Sequence, residues 1–146
     1  MKLVALILAV GACSASAGSA PETEWSRAWA TSDCAPWDGA ATSVFMTDAP
    51  GDSTTGYPLL RISVYHAIGS ISGARWQVGE SRADAAAGVL CPAQGTCIGA
   101  TAGWVDFDAA TEAGPLRGRY QLTMPDGSRL IGHFDAPVKQ TVVLCG

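Results

Sequence analysis

The chain is poor in charge and poorest in lysine: Lys2 and Lys139 are the only lysines, charged residues make up 15% of the whole, and nine basic side chains stand against thirteen acidic ones. The resulting net charge of −4 excludes a basic face of the kind that neutralises a phosphate backbone, so no nucleic acid is expected as a partner. Long apolar runs are missing after the opening stretch. Nothing beyond residue 20 approaches the about 20 apolar residues that a membrane-crossing helix needs, and that part of the chain is expected in water. There is no Gly-x-Ser-x-Gly elbow, phosphate loop or dinucleotide fingerprint. The two histidines, His66 and His133, do not stand at a spacing that recurs in metal sites. No catalytic residue, metal or cofactor is therefore assigned.

Present in abundance are turn residues, 17 Gly and 8 Pro in 146 positions, together with much alanine. That mixture suits a compact, turn-rich β protein, and the length suits one domain able to bury about two thirds of its unfolded surface. Met1 and Lys2 followed by the apolar Leu3 to Val10 have the layout of an export signal. Export places the remainder in an oxidising compartment where disulfides persist. Five cysteines, Cys13, Cys34, Cys91, Cys97 and Cys145, are an odd number, so one needs a separate explanation.

Val10-Gly11-Ala12-Cys13 resembles the lipobox of bacterial lipoproteins, in which an aliphatic and two small residues precede the modified cysteine. The resemblance implies cleavage before Cys13, a diacylglyceryl group on its thiol and acylation of the new amino terminus. Ser14 in place of Asp implies the outer membrane, facing the periplasm. A rival route uses Ala15-Ser16-Ala17 as an ordinary small-x-small cleavage site, with Gly18 as the first mature residue and soluble periplasmic or secreted release. Both routes leave four cysteines. The expected organisation is a signal peptide over residues 1–12, a lipid-anchored flexible tether over 13–30, and a single β domain over 31–146.

The clearest local signal is Arg117 to Asp135, where two alternating runs flank Pro125-Asp126-Gly127, a three-residue hairpin loop. Pairing Met124 with Ser128 puts Leu122 opposite Leu130, Tyr120 opposite Gly132 and Gly118 opposite Phe134. One face is then apolar, and each aromatic covers a glycine. The other face brings Arg119 to His133 and Arg117 to Asp135. Further strands are expected at Thr42–Thr47, Leu59–His66, Ala74–Val78, Thr101–Asp108 and Val138–Cys145. Ser81-Arg82-Ala83-Asp84 reads as a capping box opening a short helix that the following alanines continue and Gly88 stops. The fold class is all-β: an antiparallel β-sandwich or small β-barrel of about 7–8 strands with one short helix and two disulfides.

Cys91-Pro-Ala-Gln-Gly-Thr-Cys97 encloses turn residues, which makes a local bridge easy and leaves Cys34 to join Cys145. Of the three possible pairings this one is expected, the long loop removing on the order of 4 kcal/mol of unfolded-state entropy. Asp106 and Asp108 share a side of one strand, which serves a solvated face as readily as a carboxylate pair. Of the five tryptophans, Trp25 and Trp29 stand four apart where the tether ends, suited to one face of a helix or to docking on the domain.

Ile71-Ser-Gly-Ala-Arg-Trp76 resembles the Ser-Gly-Ala-basic-aromatic motif of the membrane-bound lysozyme inhibitors, small β-barrel lipoproteins. Over these six residues, the resemblance implies an inhibitory loop at Ser72, Gly73 and Arg75. The leading expectation is a lipid-anchored envelope domain that binds an envelope protein or glycan, or acts structurally, without catalysis. The alternatives are an inhibitor of lysozyme or another envelope hydrolase, and a small secreted hydrolase using His66 or His133.

Overall fold

A computed structural model describes residues 20–50, 56–79, 85–109 and 114–145. Alternation of apolar and polar side chains along short runs separated by turn residues yields ten strands among the described residues. In chain order they are β1 (Arg27–Ala35), β2 (Gly39–Thr47), β3 (Leu59–Val64), β4 (Arg75–Gly79), β5 (Ala86–Ala93), β6 (Thr96–Gly99), β7 (Ala102–Ala109), β8 (Leu116–Thr123), β9 (Arg129–Ala136) and β10 (Val138–Lys139). One 3-10 turn, Ile68–Ser70, interrupts them.

The strands make one curled, open sheet, half a barrel, in the order β10-β1-β2-β3-β5-β4-β7-β8-β9, with β6 on the edge of β5. Neighbours are antiparallel except β10 on β1 and β4 on β5. The count exceeds the expected 7–8. The added strands are β6, too short for its alternation to be seen, β5, whose alanines read as helix, and β1, which begins at Arg27 inside the stretch read as tether, while the strand expected over Val138–Cys145 is confined to β10.

The β8–β9 hairpin has the expected register throughout, including Leu122 on Leu130, Tyr120 on Gly132, Gly118 on Phe134 and Arg117 on Asp135. Met124 donates its N–H to the Ser128 carbonyl at 2.9 Å, closing the turn. Glycine at 132 is obligatory: a Cβ there would lie 2.6 Å from both the Tyr120 hydroxyl and the Thr23 carbonyl. The aromatic and the incoming chain both occupy the space of the missing side chain.

The expected short helix does not form within the described residues. Ser81–Asp84 lie outside them, while Ala86, Ala87 and Gly88 open β5, paired with Val64, Ser63 and Ile62 of β3. Helix propensity of alanine is a few tenths of a kcal/mol per residue. Ala86 is fully buried in the core, and a ladder of strand pairings outweighs that local preference.

The core lies on the concave side and includes Val44, Met46, Leu60, Ile62, Ile71, Leu116, Tyr120 and Leu122, all fully buried. Its edge is sealed by Trp25, whose indole N–H donates to the Tyr120 hydroxyl at 2.8 Å. The polar tip of each aromatic thus finds a partner where water is excluded. Burial pushes the Tyr120 phenol up to about 12, against the opposing effect of the Trp25 hydrogen bond.

Strand direction sorts the connections into two ends. β1, β3, β7 and β9 run away from the end where residues 20–26 join the sheet, and β2, β5, β4 and β8 run back toward it. The near end therefore carries residues 20–26, the β2–β3 loop and the β5–β6 and β8–β9 hairpins. The far end carries the β1–β2 turn, the β3–β4 connection and the segment after β10. Along the opening of the sheet, Thr23 donates to the Ile131 carbonyl at 2.6 Å and Ala30 to the Pro137 carbonyl at 3.0 Å.

Candidate functional site

At the far end, the β1–β2 turn places Asp38 at φ 58°, a left-handed conformation that a short polar side chain tolerates better than a bulky one. Its neighbour Trp37 is 42% exposed. Trp37 packs edge-on against Tyr65, ring centres 4.7 Å apart. In the β3–β4 connection His66 lies 4.4 Å from Trp76, centre to centre. Ser72 and Gly73 form an exposed turn beside them. Gly73 adopts φ 68° and its N–H donates to the Phe107 carbonyl at 3.0 Å.

The segment after β10 is fixed at two points. Lys139 pairs with Thr31, and Cys145 is bridged to Cys34 with Cα atoms 5.5 Å apart. Six positions separate the two points on this segment and three on β1, so the extra length must bulge. The bulge exposes Val142 by 94% and Leu144 by 91%, the most exposed of the large apolar side chains among the described residues. A shallow cavity of about 460 Å³ lies beside it, lined by Ser32, Ile68, Val138 and residues 140–142.

On the convex face, register lines up Arg75, Asp106, Arg119 and His133 across four strands. Arg75 grips Asp106 with Nε at 2.7 Å and Nη2 at 2.6 Å, and its guanidinium lies 4.2 Å from the centre of the Trp104 ring. The Arg75 hydrogen bond, ahead of the opposing desolvation, holds the Asp106 carboxyl below its usual range. His133 Nδ1 ends the row 3.1 Å from the Glu22 carboxylate, with side chains 59% and 54% exposed.

His133 also borders a cleft of about 320 Å³ in the opening of the sheet, with Trp25, Ser26 and Phe134. This is the histidine–carboxylate pairing that the hydrolase alternative requires. However, the Ser26 hydroxyl in the same cleft donates to the Thr47 carbonyl at 3.1 Å, which commits its proton to backbone.

The sequence-derived residues are thus distributed over several places. Cys13 lies outside the described residues. Cys91–Cys97 and Cys34–Cys145 are both bridged, at sequence separations of 6 and 111. Ser72 and Gly73 reach the far end, whereas Arg75 is held on the convex face by Asp106. His66 and His133 belong to different contacts. Asp108 is exposed next to a bulge in β7, while Asp106 is engaged by Arg75. Sequence reasoning missed the exposure of Val142 and Leu144, because an apolar run leading to a cysteine reads as a buried strand. The mismatch in spacing between the two fixed points is the signal that would have found it. No family model, curated protein or solved structure matches this chain.

Proposed function

We propose that this chain is an exported domain, held at the outer membrane by lipid on Cys13 and facing the periplasm, that binds an envelope partner through its far end and performs no chemistry. The observation that carries this reading is the pair Val142 and Leu144, left in water at the same end as the half-exposed Trp37 and away from residues 20–26. Apolar side chains gathered on one rim are what a binding surface needs and what folding alone disfavours. The two disulfides support an oxidising compartment. Of the sandwich and the barrel, the single curled sheet favours the barrel.

Mass spectrometry of the mature protein tests the anchor: an acylated Cys13 is expected, and an unmodified chain beginning at Gly18 overturns it. Crosslinking in intact envelopes tests the rim. A photoreactive side chain at position 142 is expected to capture one defined partner, and the same group at Ile98 of the near end is not.

A second reading, inhibition of a lysozyme, is favoured by the exposed Ser72–Gly73 turn on that same end. It predicts saturable 1:1 inhibition of lysozyme activity, lost on Ser72→Trp. A chain that leaves lysozyme activity unchanged at micromolar concentration does not act in this way.

A further inference from the structure

On the convex face, β1, β2, β3 and β5 lie side by side toward the far end. Register sets Ser43 beside Ser63 and Ser63 beside Ala87, and Ser63, Ala87 and Val89 line the bottom of a depression above the buried Ser43. Asp33 and Pro36 rise on the β1 side, and Arg61 and Tyr65 stand along the line of β3, bounding this depression of about 170 Å³.

Its hydrogen bonds have a fixed direction. The Ser43 hydroxyl lies 2.8 Å from Asp33 Oδ2 and 2.8 Å from the Ser63 hydroxyl. A carboxylate can only accept, so the single Ser43 proton goes to Asp33, and Ser63 must give its own proton to Ser43. Ser63 Oγ is left with lone pairs alone to offer the depression. The other Asp33 oxygen accepts from the Cys34 N–H at 2.8 Å, which pins the carboxylate in place.

Arg61, two residues from Ser63 and about 7 Å away along the strand, is exposed and makes no ion pair or hydrogen bond among the described residues. Tyr65 is held edge-on by Trp37, which makes its ring a fixed wall. The depression therefore sets acceptors at Asp33 and Ser63, a planar donor fork at Arg61, and an aromatic surface in one small space. A ligand matching all of these carries several hydroxyl donors, one anionic group and an apolar ring face.

We infer that this depression is a subsite for one residue of an acidic saccharide. The sugar carboxylate pairs with Arg61, ring hydroxyls donate to Ser63 and Asp33, and the ring packs on Tyr65. This goes beyond the binding role assigned to the far end and does not rest on it, since neither Val142 nor Leu144 lines the depression.

The test is titration of the isotope-labelled protein with glucuronic acid, followed by backbone and arginine side-chain NMR. A single sugar ring is expected to bind with a dissociation constant on the order of 1 mM, with shifts concentrated at Asp33, Cys34, Arg61, Ser63 and Tyr65. Glucose is expected to bind about tenfold more weakly, and Arg61→Gln to bring glucuronic acid to the level of glucose. Tyr65→Leu is expected to weaken both sugars alike. Thermal melting checks that each variant is folded; Arg61 is exposed, so its replacement spares the core. Equal shifts from acetate, from alanine or from glucose, unchanged binding in Arg61→Gln, or saturation at another face would each overturn the assignment.

Discussion

At the near end, the residues that enter the sheet are bonded to it. Trp25 donates inward to Tyr120, the Ser26 N–H to Asp48, the Ser26 hydroxyl to Thr47 and Arg27 Nη2 to the Ala49 carbonyl at 2.6 Å. At the far end, Trp37, Val142 and Leu144 face water and a disulfide holds the bulged segment in place. The near end is held by many individually modest hydrogen bonds that also fix where residues 20–26 lie. The segment after β10 at the far end is held by its pairing with β1 and one covalent link, which leave Val142 and Leu144 unoccupied. A segment kept in shape without packing Val142 and Leu144 leaves both available for binding.

Cutting that link should have the largest effect. Cys34→Ser removes a cross-link spanning 111 positions and is expected to cost on the order of 4 kcal/mol in chemical denaturation. The matching change at Cys91, across a separation of 6, should cost about 2 kcal/mol. Equal losses would mean that the two bridges do not differ as their loop lengths require.

Next in size is Gly132→Val, which drives a side chain into Tyr120 and Thr23 and should cost about 2 to 3 kcal/mol. A blue-shifted Trp25 emission that survives this change would show that the indole does not depend on the hairpin. Tyr120→Phe removes only the acceptor for Trp25 and should cost about 1 kcal/mol.

The same residue predicts an alkaline limit. The fold raises the Tyr120 phenol from 10.0 to about 12, so below pH about 10 both states hold the neutral form and its contribution is complete. Between there and pH about 12 the unfolded chain ionises first, and stability falls. Melting curves should show this loss in the natural chain and a smaller one in Tyr120→Phe. The smallest effect on stability is expected at the far end: Val142→Ser with Leu144→Ser should change it by no more than about 0.5 kcal/mol while abolishing capture of the partner.

Legibility of the fold followed the range of the forces involved. The β8–β9 hairpin could be derived down to its pairs because one turn and one alternation set every register, and a single slip would turn the apolar face outward. Cys91 and Cys97 were readable for the same local reason, and they left Cys34 to Cys145 by subtraction. Ala86–Gly88 were misread because alanine has a local preference for helix, while their partners in β3 lie more than twenty positions away. Of the candidate sites, Ser72 and Gly73 could be named from a six-residue resemblance. The Asp33–Ser43–Ser63 chain could not, since three short polar residues on three strands carry no pattern until register aligns them.

Composition and local pattern settled the all-β class, the turns, the hairpin and the pairing of the cysteines, all of which depend on neighbours in the chain or on simple counting. The order of the strands, the two parallel contacts, the separation into a bonded end and an open end, and the line of acceptors on the convex face were decided by tertiary structure. Each depends on which distant strands lie side by side, and that is governed by the burial of the whole core at once, a quantity no short stretch of sequence contains.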